Sequence, residues 1–141
     1  MNRSGSAVWQ GNLQSGSGSI STETGALKNA PYSVSSRFEG APGTNPEELI
    51  GAAHAGCFSM TLALVLSAAK LVAERIDTRA LVTLDKVAEG YAITAVHLEL
   101  TAKIPGIDQA KFDEIVSQAK AACPVSKVLD AKISLASTLL S

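Results

Sequence analysis

The chain has 141 residues, of which 46% are hydrophobic, 18% are charged and only 4% are aromatic. This length is typical of one domain that buries its core without disulfide bonds, so we expect a single domain over residues 1–141. The net charge of −1, without a basic run, argues against a nucleic-acid partner. The N-terminal residues lack an apolar stretch of signal-peptide length, so we expect a cytoplasmic protein with reduced cysteines.

The N-terminal third is predicted to form short strands. Residues 7–13 (AVWQGNL) contain the only Trp, and the Gly/Ser-rich residues 15–21 indicate a turn with a second strand. Residues 32–38 (YSVSSRF) alternate moderately between apolar and polar side chains, which predicts a third strand. Arg37 would then lie at a strand end, where an arginine is usually a solvated surface charge.

The longest predicted element is a helix that starts near Asn45. Asn45 is a typical N-cap residue, and Pro46 suits the first helical position. Glu48 stands three residues after Asn45, where a side chain can reach back to the amide of the cap. We expect this helix to extend to about Glu74 or Arg75.

This predicted helix is apolar on nearly every side. Residues 51–69 are uncharged if His54 is neutral, so a membrane-spanning helix has to be considered. We reject a membrane span because the segment contains Ser, Thr and several small residues, and because strand-like segments flank it. The pattern is typical of a buried central helix. One small domain can hardly cover such a helix, so we expect a second subunit to pack against it.

The second half of the chain has the clearest periodicity. It predicts a β-hairpin turning at Glu89-Gly90, an amphipathic helix, a second short helix and a final strand. Their ranges are residues 80–86 and 91–103 for the hairpin, 108–122 and 125–129 for the helices, and 132–140 for the last strand. Paired strands with inserted helices predict an α+β fold with antiparallel pairing.

Cys57, in the long helix, and Cys123 are the only cysteines. Cys123 precedes a proline, which biases it away from helical angles and predicts a helix boundary there. A zinc site with His54 and His97 has no ligand spacing to recommend it. A hydrolytic dyad is open, because His54 lies three residues before Cys57 and would share its helix face.

Redox chemistry is another use for two thiols that lie far apart in the sequence. Peroxide oxidises one thiolate to a sulfenic acid, and the second thiol then condenses with it to a disulfide. A nearby arginine would favour the thiolate, and a glutamate could orient that arginine. From the residues alone this interpretation stays open beside a purely structural one, in which both cysteines are small buried hydrophobes.

The chain resembles the OsmC/Ohr family of thiol peroxidases, and its OsmC branch in particular. The resemblance covers essentially the whole chain. It is carried by AVWQGNL near the N-terminus, SSRFEG around Arg37, TNPEELIGAAHAGCFSM around Cys57 and ACPVSKVL around Cys123.

The resemblance implies an α+β fold with antiparallel sheets packed around a long central helix, in an intertwined homodimer. It implies a peroxidase of the stress response that reduces organic hydroperoxides, and hydrogen peroxide less well, without a metal, flavin, haem or other cofactor. Cys57 matches the peroxidatic cysteine and Cys123 the resolving cysteine, while Arg37 and Glu47 match the residues that activate the first thiol.

The resemblance also implies that an external dithiol, a lipoyl protein or a small thiol, reopens a Cys57–Cys123 disulfide. Partners are then a second copy of the chain, the hydroperoxide and this dithiol, with neither nucleic acid nor membrane involved. The alternatives are a cysteine hydrolase that uses Cys57 with His54, and a non-enzymatic dimeric stress or binding protein.

Overall fold

A computed structural model describes residues 1–141, which divide into two compact units, Met1–Leu49 and Ile50–Ser141. The elements alternate between strands and helices, which confirms the predicted α+β class. In chain order they are β1 (Gly5–Gln10), β2 (Ser17–Thr22), β3 (Ala30–Tyr32), α1 (Val34–Phe38), α2 (Pro46–Ala68), β4 (Arg75–Val87), β5 (Gly90–Lys103), α3 (Gln109–Ala122), α4 (Pro124–Val128) and β6 (Lys132–Leu140).

The first unit contains an antiparallel three-stranded sheet in the order β1-β2-β3. The predicted strand over residues 32–38 is wrong beyond Tyr32, because helix α1 follows it. Ser33 and Ser36 form a reciprocal capping box: Ser36 N donates to Ser33 Oγ at 3.2 Å, and Ser33 N donates to Ser36 Oγ at 2.8 Å. This cap turns the chain and places Arg37 in the last turn of a short helix.

The second unit contains a mixed sheet in the order β4-β5-β6. Strands β4 and β5 form the predicted hairpin, with Val87 paired to Gly90 across a two-residue loop. The expectation of antiparallel pairing throughout is wrong for β6, which runs parallel to β5. The reason is the crossover: α3 and α4 lie between the two strands in the chain, and a strand that returns after such a connection runs parallel.

The fully buried hydrophobic core lies in the second unit and is mostly aliphatic, with two phenylalanines. Helices α2 and α3 and one face of β5 supply most of it, as the alternation in β5 predicts. A Cβ at Gly51 would lie 3.2 Å from the carbonyl oxygen of Ala80, so a small residue lets α2 approach β4 closely. The largest buried residues are Phe58, Leu62 and Leu66 from α2, Val96, Leu98 and Leu100 from β5, and Phe112, Ile115 and Val116 from α3.

The predicted start of α2 is confirmed. The Glu48 amide donates to Asn45 Oδ1 at 2.8 Å, which is the N-cap hydrogen bond, and Pro46 is the first helical residue. The Glu48 carboxylate, however, accepts from the Thr44 hydroxyl at 2.7 Å, where we expected a bond to the amide of the cap.

Helix α2 ends at Ala68, several residues before the predicted Glu74 or Arg75. The end is a Schellman motif: Leu71 N donates to Leu66 O at 2.9 Å and Lys70 N donates to Ser67 O at 3.0 Å. Lys70 adopts the left-handed conformation that this motif needs, with φ of 59°. A glycine usually occupies this position, so the sequence carried no stop signal there.

Helix α2 is long and apolar enough to cross a membrane, with 23 residues and a mean hydropathy of 1.8 in its most apolar window. Length and composition alone do not separate a membrane span from the core helix of a globular domain. In the single chain only 28% of that window is buried. Phe58 and Leu62 face the core, whereas Met60 and Leu64 are 77% and 69% exposed. One apolar face of the helix is therefore uncovered in the single chain.

Candidate active site

The second unit brings Cys57 and Cys123 together. Cys57 lies on α2, and Cys123 is the residue between α3 and α4, with extended angles (φ −60°, ψ 119°) as the following Pro124 predicts. Both are free thiols, and they are neighbours, since each acts on the pKa of the other. Cys123 is 0% exposed, whereas Cys57 is only partly buried. Only Cys57 is therefore accessible from outside.

The environment of Cys123 favours its thiolate. Burial raises the pKa of Cys123, but the nearby polar groups of Ser126 and Val125 and the thiol of Cys57 lower it. These groups outweigh the burial, so the pKa lies below the usual thiol value. The surroundings of this buried thiol therefore ease its ionisation.

The same unit disfavours the thiolate of Cys57. Burial is the main cause that raises the pKa of Cys57, and the neighbouring Cys123 adds to it, while the amide of Val125 acts in the opposite direction. The Thr61 hydroxyl contributes little, because its one proton is already donated to the carbonyl oxygen of Cys57 at 2.9 Å. Within this unit alone, Cys57 is therefore the weaker acid of the pair.

His54 does not form the thiol–imidazole dyad that its spacing from Cys57 suggested. Its Nε2 lies 2.7 Å from Ser126 Oγ, while its buried Nδ1 has no hydrogen-bond partner. Desolvation lowers the pKa of His54, which is 0% exposed, so its imidazole is neutral. His97 binds Ser134 instead, with Nδ1 2.6 Å from the serine hydroxyl. No three His, Cys, Asp or Glu residues group as metal ligands would.

The first unit brings Arg37 and Glu47 together. Arg37 Nη2 lies 2.6 Å from Glu47 Oε1, and Arg37 Nε lies 3.1 and 3.2 Å from the two carboxylate oxygens. This fork of charge-assisted hydrogen bonds fixes the guanidinium plane. The Glu47 side chain is 12% exposed and that of Arg37 is 37% exposed, so part of the cation faces solvent.

An apolar pocket of about 280 Å³ lies beside Arg37 in the first unit. Three of the six aromatic side chains of the protein line it, together with Leu13, Val34 and Pro46; they are Trp9, Tyr32 and Phe38. This lining was not predicted from the sequence. The concentration of aromatic residues before residue 39 was the available signal.

Comparison with known proteins identifies the family. Residues 38–138 match the family model described as OsmC-like protein. The chain belongs to the OsmC-like family. This confirms the resemblance seen in the sequence motifs.

Relatives of this OsmC-like chain carry two kinds of name. The chain is 53% identical over 135 residues to the peroxiredoxin OsmC of Escherichia coli K12, covering 96% of this chain and 94% of that protein. It is 31% identical over 101 residues to the organic hydroperoxide resistance protein of Xanthomonas axonopodis pv. citri, covering 71% of this chain and 69% of that protein.

Solved structures confirm the fold of the OsmC-like chain. The organic hydroperoxide resistance protein OhrB of Bacillus subtilis is similar with a TM-score of 0.70 at 24% identity. The similarity covers 97% of this chain and 98% of the OhrB chain. At that identity the comparison establishes the fold alone.

Proposed function

We propose that this protein is a cysteine-based peroxidase that reduces organic hydroperoxides, and hydrogen peroxide less well. The observation that carries the proposal is the neighbouring pair of free thiols, one partly exposed and one buried. A two-cysteine peroxidase needs such a pair, because the second thiol must meet the oxidised first one. The names of the relatives, peroxiredoxin and organic hydroperoxide resistance protein, support the same reaction.

The reaction proceeds in three steps. The Cys57 thiolate attacks the terminal oxygen of the hydroperoxide, the O–O bond breaks, and the alkoxide leaves as an alcohol after taking up a proton. Cys57 is then a sulfenic acid. The Cys123 thiolate attacks the Cys57 sulfur, releases hydroxide and closes a disulfide. An external dithiol reduces this disulfide and is itself oxidised to a disulfide.

Activation of Cys57 is assigned to the Arg37–Glu47 pair. Because the surroundings in its own unit raise the pKa of Cys57, the thiolate needs a positive charge from elsewhere. Arg37 supplies this charge and binds the peroxide oxygen, and Glu47 holds the guanidinium in the required plane. The positive charge of Arg37 held in this pair also stabilises the negative charge that develops on the leaving alkoxide.

The apolar pocket beside Arg37 supports an organic peroxide as the preferred substrate. Its walls are mostly aromatic and aliphatic side chains, with Ser33 beside them, and its only charged side chain is Arg37. An alkyl or aryl tail gains about 25 cal/mol for each Å² that it buries on such walls, whereas hydrogen peroxide has no tail to bury.

We further propose a soluble, cytoplasmic homodimer that is reduced by a lipoyl protein or a small thiol. The uncovered apolar face of α2, with Met60 and Leu64, supports dimerisation, since monomers rarely leave a long apolar helix face in water. The scarcity of cysteine suits a reducing compartment, because structural disulfides belong to oxidising ones.

A peroxide-consumption assay tests the proposal. Purified protein is mixed with cumene hydroperoxide or tert-butyl hydroperoxide in the presence of dithiothreitol, and the wild type is compared with Cys57→Ser. We expect consumption by the wild type and loss of it in the variant. An inert wild type, or full activity of Cys57→Ser, would refute the proposal. Assays with hydrogen peroxide in parallel measure the preference for organic substrates.

A further inference from the structure

Two aromatic rings meet over a glycine in the sheet of the first unit. Trp9 on β1 and Tyr32 on β3 are both paired with Gly18, which lies between them on β2. A Cβ at Gly18 would lie 2.6 Å from Tyr32 Cε1 and 3.0 Å from Trp9 Cε3. Because glycine has no side chain, the two rings close over it with their centroids 5.4 Å apart and their planes inclined at 61°. The strand register therefore builds an edge-to-face ring pair.

Phe38 supplies a third ring and stands beside the charged group of the pocket. The Cζ atom of Arg37 lies 5.3 Å from the centroid of the Phe38 ring, within the range of a cation–π contact. The three rings and Arg37 line the same cavity of about 280 Å³. An aromatic wall and the group assigned to the peroxide oxygen are therefore neighbours within one unit.

The cavity suits a compact aromatic ring better than a long chain. Its volume lies just below the roughly 300–1,000 Å³ of typical small-molecule sites. An aromatic ring gains from edge-to-face or offset-stacked contacts with aromatic walls in addition to the area that it buries. A saturated ring of the same size gains from the buried area alone. Walls of this kind therefore distinguish an aromatic ring from its saturated counterpart.

We propose that the pocket of Trp9, Tyr32 and Phe38 selects arylalkyl hydroperoxides, in which an aromatic ring stands one carbon away from the peroxide group. The inference rests on the proposed peroxidase function and adds a substrate class and specificity-determining residues to it. The ring of such a substrate packs against the three aromatic side chains while its peroxide group stays beside Arg37. The short spacing matters because Arg37 and the rings border one small cavity.

The first test is a competition between two hydroperoxides in one reaction. Cumene hydroperoxide and its ring-saturated analogue, in which cyclohexyl replaces phenyl, are supplied in equal amounts with dithiothreitol, and the two alcohol products are quantified. The product ratio does not depend on the fraction of protein that is folded. The same competition with dithiothreitol alone corrects for the intrinsic reactivities of the two peroxides. We expect the wild type to favour the aryl substrate about fivefold, the effect of one favourable aromatic contact.

Variants locate this selectivity in the rings. Trp9→Leu and Phe38→Leu each keep an apolar wall and remove one aromatic ring, so each should lower the aryl preference at least about twofold. Phe38 is 45% exposed, so its replacement disturbs the fold little. Tyr91→Leu is the matched control, because Tyr91 lies in the second unit and does not line the pocket. A wild-type ratio equal to that of dithiothreitol alone, an unchanged ratio in both pocket variants, or an equal loss in the control overturns the inference.

The second test needs no peroxide chemistry. Trp9 is the only tryptophan, so its fluorescence reports a ligand in the pocket. Cumyl alcohol, the product from cumene hydroperoxide, should bind the wild type about fivefold more tightly than its ring-saturated analogue does. Equal affinities for the two alcohols overturn the inference. A wild type that consumes no peroxide but prefers the aryl alcohol refutes the proposed function and supports the selectivity of the pocket.

Discussion

The substitution Glu47→Gln tests whether the ion pair in the first unit serves the thiol chemistry. In the wild type, Glu47 accepts from both Nε and Nη2 of Arg37 at distances down to 2.6 Å. Glutamine keeps the shape and one acceptor oxygen but removes the negative charge. The guanidinium would keep its charge and lose the partner that fixes its plane.

The size of the effect follows from the exposure of the pair. A hydrogen bond to a charged group contributes about 1.5–3 kcal/mol when solvent is excluded. Because the Arg37 side chain is 37% exposed, solvent screening reduces this to about 1 kcal/mol. That energy corresponds to about a fivefold slower oxidation of Cys57.

The rate of Cys57 oxidation is measured by stopping the reaction with tert-butyl hydroperoxide at intervals. At each time point the remaining free thiol is alkylated and quantified. Glu48→Gln is the matched control, because it removes the same charge one residue along while its partner is the Thr44 hydroxyl. We expect the control to oxidise Cys57 at the wild-type rate. An unchanged rate in Glu47→Gln, or an equal loss in Glu48→Gln, would refute the role assigned to the ion pair.

Three further predictions concern the thiols, the buried histidine and the uncovered helix face. Cys123→Ser should complete one turnover and stall, with Cys57 captured by a sulfenic-acid reagent; undiminished steady-state turnover would contradict a resolving role. The free energy of unfolding should decrease as the pH drops below about 6.5, because histidine in the unfolded chain takes up a proton that buried His54 resists. Urea unfolding at several pH values should show a weaker pH dependence of this free energy for His54→Leu. Leu64→Glu should convert the proposed dimer to monomer in sedimentation experiments, and an unaltered mass would contradict an interface there.

Local signals predicted the elements well where they were strong. Asn45 and Pro46 marked the start of α2, and the proline after Cys123 marked the boundary between α3 and α4. The alternation in β5 predicted its buried face. These signals act over a few residues, so the sequence carries them directly.

The failures came from interactions that local patterns do not encode. The segment around Arg37 resembles a strand by alternation, but two serines three positions apart cap a short helix. The parallel direction of β6 depends on a crossover of about thirty residues, a property of topology that strand periodicity does not report. Ser126 carried no signal at all, because its partner His54 lies 72 residues away in the sequence and is brought to it only by the fold.

The opposite pKa directions of the two thiols are consistent with the order of the proposed reaction. A pair of neighbouring thiols holds one negative charge more easily than two, and within its own unit that charge favours Cys123. Peroxide cannot reach Cys123 there, because the sulfur is fully buried. If Arg37 acts on Cys57 as proposed, it draws the charge to the accessible thiol, which is then the one that peroxide oxidises. Oxidation of Cys57 to sulfenic acid removes the competing thiolate. Cys123, whose pKa is lowered by its surroundings, is then the thiol that attacks the Cys57 sulfur and closes the disulfide.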